Sequence, residues 1–257
     1  MTTGAPPPGA ARRFRHFVFD CDSTLSRIEG IEELAQEQRA AVTAMTQAAM
    51  EGQVPLEEVY GRRLQLVAPT QALVRAVGAR YVAELVDDAA AVVAALQTLG
   101  KDVHILSGGV RPAVLVVAAH LGVPESHVHA VDLRFAPDGS YQGFDQHSPL
   151  ARRGGKPVAL RQAVADPAAA VLVGDGVTDL EARDLVGLFV GFGGVAVRAE
   201  VERQSPVFVR CPSLAPLLAL ALTPAEQDDL ARRTAFAPLL ARARALAVPP
   251  HVTRHEA

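Results

Sequence analysis

HFVFDCDST, residues 16–24, starts as a short apolar run and ends in two aspartates one residue apart, Asp20 and Asp22, followed by Ser23 and Thr24. Neighbouring carboxylates repel, and each raises the other's proton affinity, so the arrangement costs stability unless a cation or a chemical role offsets it. No basic residue stands within VFDCDST, residues 18–24. The compensation has to come from elsewhere in the chain.

Working outward, three more runs have the same build. DVHIL (102–106), AVLVGD (170–175) and LFVGF (188–192) are short, apolar and bounded by polar or glycine residues, as buried strands are. Helical stretches separate them, among them AAAVVAALQTLG (89–100), closed by a glycine, and KPVALRQAVA (156–165). Strands alternating with helices predict an α/β fold, a Rossmann-like parallel sheet covered on both faces, whose ligands bind beyond the carboxyl ends of the strands. Each polar motif of interest stands at such an end.

Two stretches break the alternation. Residues 26–81 are helical in period throughout, which predicts an inserted helical cap between core segments 13–25 and 82–222. VDLRFAPDGSYQGFD (131–145) alternates around Pro-Asp-Gly and predicts a β-hairpin. Residues 1–12, with three consecutive prolines and no apolar core, read as a disordered leader. Residues 223–257 read as an amphipathic helical tail.

Composition narrows the function classes. A chain of 257 residues, 49% hydrophobic, buries one substantial core and has room for a second small unit. A net charge of -3 without a long basic run offers nucleic acid no footprint. No apolar run is long enough to span a bilayer. Two cysteines, Cys21 and Cys211, make no disulfide framework, which points to a reducing cytoplasm.

LVGDGVTDLEA (172–182) places Asp175 and Asp179 where a strand gives way to a helix. With Asp20 and Asp22 they make four carboxylates at strand ends of one sheet, an oxygen-rich surrounding suited to Mg²⁺. HILSGG (104–109) and RRGGKP (152–157) bring a hydroxyl, backbone amides and Lys156 to the same edge, and these suit a phosphoryl group.

DCDST, SGG, GGK and GDGVTDLEA, in this order, resemble the four motifs of the haloacid dehalogenase superfamily of phosphohydrolases. The resemblance covers residues 14–220 and is closest to the branch that hydrolyses phosphoserine, through EGIEELA, AMEGQVPL, RRLQL, YQGFD and VGFGG. It implies a phosphorylated amino acid as substrate, Mg²⁺ as cofactor, and the last step of serine biosynthesis. Asp20 is then the nucleophile and Asp22 the acid and base. Asp20, the backbone carbonyl of Asp22, Asp175 and Asp179 hold the metal. Ser107, Gly108 and Lys156 hold the phosphoryl oxygens, Glu29 meets the substrate ammonium and Arg63 its carboxylate. Met50 walls the pocket, and Thr178 touches substrate. Arg62 competes with Arg63, and the resemblance, aligned from VPL, favours the latter. Ser26, Ile28 and Pro157 depart from the usual pattern.

Other readings stay open at this level. The same machinery serves a phosphatase or phosphotransferase for another small phosphorylated metabolite, and a silent phosphate-binding scaffold would keep the motifs without turnover. A homodimer is compatible with everything above. His127 and His129 have the look of a metal pair, but strand alternation accounts for them. VGFGG reads as a strand-end turn, Cys21 as core, and Met45 as cap interior.

Overall fold

The computed structural model describes residues 14–50, 54 and 56–255, with side chains described except at 47–50 and 56. The expected leader and the side chain of Met50 lie outside these. The apolar run forms strand β1 (His16–Phe19), after which a wide turn over Cys21–Leu25 is closed by Ser26 N–H donating to Cys21 O at 3.0 Å. Ser23 sits in this turn with φ at 50°, a region that non-glycine residues seldom occupy, and its hydroxyl donates to Glu29 Oε1 at 2.7 Å.

Helices follow without an intervening named strand: α1 (Gly30–Ala35), α2 (Arg39–Met50), α3 (Leu56–Val67) and α4 (Gln71–Ala83). Helix α4 starts at Thr70, whose hydroxyl accepts from Leu73 N–H. Next come α5 (Ala89–Thr98), β2 (Asp102–Val110), α6 (Arg111–His120) and β3 (Val128–Val131). Strand β2 extends past the expected 102–106 through Ser107–Gly109, so the SGG motif lies in extended backbone. Helix α4 packs along α6, and the crossing is close: a Cβ on Gly78 would come within 2.6 Å of Val116. The last helix of the insertion is therefore seated on the sheet's own helix layer.

The hairpin β4 (Leu133–Phe135) and β5 (Tyr141–Phe144) pairs antiparallel, as the alternation around Pro-Asp-Gly predicts. It is followed by α7 (Gly155–Ala163), β6 (Ala170–Gly174), α8 (Val177–Leu180), β7 (Leu188–Phe192), α9 (Ala199–Gln204), β8 (Val207–Val209) and α10 (Pro216–Ala221). The chain closes with α11 (Pro224–Arg232), α12 (Ala237–Leu246) and β9 (Val252–Arg254).

Among the described residues seven strands form one sheet in the order β3-β2-β1-β6-β7-β8-β9, parallel except for β8 against β9. The residues from 223 on are thus not purely helical. β9 adds an edge strand, and Glu226, at the start of α11, holds the buried Lys101 ammonium at 2.5 Å. With three residues and a single buried apolar side chain, β9 carries no periodic signal, and its pairing is a tertiary event. Phe17, Phe19, Val171, Val173, Phe189 and Ile105 are fully buried in the sheet, matching the unbroken apolar runs of its central strands.

Toward the amino ends of β1, β2 and β3 four histidines gather. His104 stacks on His127 with centroids 4.1 Å apart, and His16 and His129 lie 5.8 and 5.9 Å from it. His104 is 4% exposed, and neither ring nitrogen has a partner among the described residues. Burial first, then His127, His129 and His16, push its pKa down to about 4, so the ring is neutral.

Candidate active site

The strand order reverses direction at β1, whose neighbours are β2 on one side and β6 on the other. Such a switch point opens a crevice at the carboxyl ends of the strands. Asp20 leaves β1 here and Asp175 leaves β6, the two strands being in register from His16 opposite Ala170 to Phe19 opposite Val173. A cavity of about 280 Å³ lies over them, lined among others by Asp20, Asp22, Glu29, Arg63, Gly108, Lys156, Asp175, Thr178 and Arg198.

Carboxylate oxygens of Asp20, Asp175 and Asp179 lie within 4.8 Å of one another, and all three residues are buried. The Asp22 carboxylate stands apart from this group. Its Oδ1 accepts from Gly30 N–H at 2.6 Å and from the Tyr81 hydroxyl, and Ser107 Oγ approaches Oδ2 at 3.3 Å. Burial, then the Asp20 charge, raise the Asp22 pKa to about 6, against the Tyr81 and Gly30 hydrogen bonds. A carboxyl so placed can hold and release a proton near neutrality.

The cations missing from the DCDST motif come from far along the chain. Lys156 Nζ reaches Asp20 Oδ2 at 2.6 Å and Asp179 Oδ1 at 2.5 Å. Burial draws the lysine pKa down, but Asp179 and Asp20 outweigh it and hold it above its ordinary value. Arg198, just before α9, donates Nε to Asp175 Oδ2 at 2.9 Å, and its Nη2 lies 3.5 Å from Glu29 Oε1. Thr24 Oγ1 donates to Asp175 Oδ1 at 3.2 Å. Three clustered carboxylates backed by a fixed ammonium form a hard-oxygen set that fits a divalent cation such as Mg²⁺.

Ser107 is fully buried and its Oγ accepts from Gly109 N–H at 3.0 Å, while Gly108 and Thr178 line the cavity. Arg63 on α3 is 8% exposed, donates to Thr46 Oγ1 at 3.0 Å and lies 5.6 Å above the Tyr60 ring. Among the described residues no carboxylate pairs with it, and its Nε is buried without a partner. Arg62, in contrast, is exposed and pairs with Glu58 along the helix at 3.3 Å. Glu29 faces the same cavity with its side chain 42% open to it. Enclosure first, then Asp22 and Asp175, push its pKa up, opposed by Ser23 and Arg198.

The profile of the haloacid dehalogenase-like hydrolases matches residues 14–183. The chain belongs to that family. It is 36% identical over 195 residues to the phosphoserine phosphatase of Mus musculus, covering 74% of this chain and 87% of that protein. To the chloroplastic phosphoserine phosphatase of Arabidopsis thaliana it is 38% identical over 193 residues, 73% of this chain and 65% of the relative. The crystal structure of a phosphoserine phosphohydrolase-like protein from Francisella tularensis superposes with a TM-score of 0.71 at 22% identity, covering 81% of this chain and 100% of the other, and supports the fold.

This hydrolase therefore gathers the expected Asp20, Asp22, Glu29, Arg63, Gly108, Lys156, Asp175 and Thr178 around one cavity, with Asp179 and Ser107 packed directly behind it. Sequence reasoning missed Arg198, Tyr81 and Thr24. Arg198 stands four residues past the VGFGG turn and obeys no spacing rule relative to Asp175. Tyr81 looks like one more apolar helix position. Ser26, a departure from the usual pattern, is buried and donates to the carbonyls of Tyr81 and Glu84 at 3.0 and 3.1 Å, tying the end of α4 to the motif. Cys21 is fully buried and burial raises its pKa, so its thiol is inert, as expected of a core residue. No described helix is long and apolar enough to cross a membrane.

Proposed function

We propose that this hydrolase is a Mg²⁺-dependent phosphatase that releases serine and phosphate from O-phosphoserine by way of an aspartyl-phosphate. The observation that carries the substrate is Arg63. A buried guanidinium that no carboxylate among the described residues pairs with, in the cavity that also holds the acidic cluster, is matched by an anion brought in by the ligand, and the α-carboxylate of phosphoserine supplies one. Glu29 gives the substrate ammonium a partner, and that positive charge relieves the repulsion from Asp22 and Asp175.

Asp20 attacks phosphorus, forming an Asp20 O–P bond as the P–O bond to the seryl oxygen breaks. Asp22 gives its proton to that oxygen, and serine departs neutral at the hydroxyl. A water then attacks phosphorus and passes its proton to Asp22, while the Asp20 O–P bond breaks and the free carboxylate returns. Lys156 balances the charge of the carboxylate that approaches an anionic phosphoryl group. Ser107 and the Gly108 amide orient phosphoryl oxygens. Asp20, Asp175, Asp179 and the carbonyl of Asp22 would hold Mg²⁺, which when bound supplies Lewis-acid stabilisation of phosphoryl charge.

The test is phosphate release from O-phosphoserine, O-phosphothreonine, glycerol phosphate and p-nitrophenyl phosphate measured side by side, with Asp20→Asn as the blank. Phosphoserine should have the highest kcat/KM, and Asp20→Asn should abolish turnover while keeping the wild-type melting temperature to within a few degrees. A preference for glycerol phosphate over phosphoserine would move the substrate away from amino acids.

A further inference from the structure

Asp22 has two oxygens in unlike surroundings. Oδ1 takes two donors, the Gly30 amide at 2.6 Å and the Tyr81 hydroxyl, and so has its in-plane acceptor sites filled. Oδ2 lies against the SGG strand, 3.3 Å from Ser107 Oγ and within 2.9 Å of where a Gly109 Cβ would stand, and Gly109 lines the cavity. We infer that Tyr81 is a positioning residue, which holds Asp22 by Oδ1 so that Oδ2 is the oxygen that passes the proton.

Tyr81 is built in from three sides. The residue is fully buried, α4 is seated on α6, and Ser26 Oγ grips the Tyr81 carbonyl at 3.0 Å. Gly30 leaves room for the phenol: a Cβ there would lie 1.9 Å from the hydroxyl oxygen, so no larger residue coexists with this hydroxyl position. The phenol is fully buried with its hydroxyl directed at Asp22 Oδ1, so it serves as a donor throughout the cycle. It neither gives up nor receives the transferred proton. Its effect is geometric, since a donor fixed by packing restrains a carboxylate that otherwise turns about its terminal torsion.

The inference rests on the reading of Asp22 as acid and base, and it predicts a dependence on the leaving group. An alkoxide leaves badly without a proton, whereas p-nitrophenolate leaves without one. Because kcat/KM reports the steps through departure of the leaving group, Tyr81→Phe should lower it about tenfold to a hundredfold for phosphoserine and glycerol phosphate, and by no more than about threefold for p-nitrophenyl phosphate. With p-nitrophenyl phosphate kcat should still fall about tenfold, because water attack on the phosphoenzyme needs Asp22 whatever group has left, and KM should fall with it. Gly30→Ala, which drives the hydroxyl away from Asp22, should give the same split and carries the comparison if Tyr81→Phe fails to fold. An equal loss of kcat/KM for alkyl and nitrophenyl esters, or no loss for either, overturns the inference. A wild type that hydrolyses glycerol phosphate and p-nitrophenyl phosphate but not phosphoserine removes the proposed substrate and leaves the Tyr81 comparison readable. A wild type that hydrolyses no phosphomonoester overturns both.

Discussion

Replacing Lys156 with methionine asks whether the ammonium holds the folded site together or serves only in turnover. Methionine keeps most of the length and apolar stem and removes the charge that lies 2.6 Å from Asp20 and 2.5 Å from Asp179. The lysine is 5% exposed and Asp179 is fully buried, so water cannot replace the lost partner. Removing one member of a buried ion pair costs about 3 to 5 kcal/mol, most of it the penalty on the charge left behind. For a chain of this size each kcal/mol moves the melting temperature by about 2 to 4 °C, so in chelator Lys156→Met should melt roughly 6 to 20 °C below wild type. Mg²⁺ should then raise the variant's melting temperature by more than it raises wild type's, since the carboxylates have lost their fixed cation and attract a mobile one more strongly. Differential scanning calorimetry with and without Mg²⁺ measures both quantities. A variant within about 1 kcal/mol of wild type in chelator would refute the reasoning, because Asp20 and Asp179 would then tolerate burial without the lysine.

Arg63→Ala and Glu29→Gln should each lower kcat/KM for phosphoserine by about 2 to 3 kcal/mol, the order of a lost charge-assisted contact, and change p-nitrophenyl phosphate far less, while Arg62→Ala, facing solvent beside Glu58, should match wild type on both. Steady-state kinetics on the two substrates checks this. In wild type Mg²⁺ should raise the melting temperature as well as activate, because a cation relieves the repulsion among Asp20, Asp175 and Asp179, and Ca²⁺ should bind yet support turnover poorly. Full activity in excess chelator contradicts it. Acid should weaken the fold through the histidine stack. His104 binds its proton near pH 4 when folded and near 6.5 when unfolded, so its contribution is complete above pH 6.5 and is lost as pH falls, about 2 kcal/mol by pH 5. Urea midpoints from pH 7.5 to 5 should fall more steeply for wild type than for His104→Phe, and parallel curves would show that another group sets the acid limit.

Much of this arrangement was legible in the chain because its signals are local. A strand needs only a run of apolar residues, and β1, β2, β6 and β7 arise where HFVFD, DVHIL, AVLVGD and LFVGF predict them. Each motif is carried by a few adjacent residues, so Asp20, Lys156 and Asp175 could be named from spacing before their meeting point was known. Helix geometry does not choose between Arg62 and Arg63: the family resemblance favours Arg63, and in the structure Arg63 lines the cavity while Arg62, about 100° round the helix, is exposed.

What neutralises the paired aspartates was not legible. Lys156 reaches Asp20 across 136 positions, at the switch in strand order that sets β1 beside β6, and Arg198 reaches Asp175 across 23, because β7, which precedes Arg198, pairs with β6. Tyr81 was hidden for the same reason. On α4 it looks like any buried aromatic, and its hydroxyl meets Asp22 because α4 lies on α6 and Gly30 leaves it space. The sequence alone determined which chemical groups this protein carries and the local structure around each one, since propensity, periodicity and motif spacing act over a few residues. Which carboxylate faces which cation, and which oxygen of Asp22 Tyr81 holds and which meets Ser107, only the tertiary structure decided, because those contacts join residues distant along the chain and follow from sheet order and close packing.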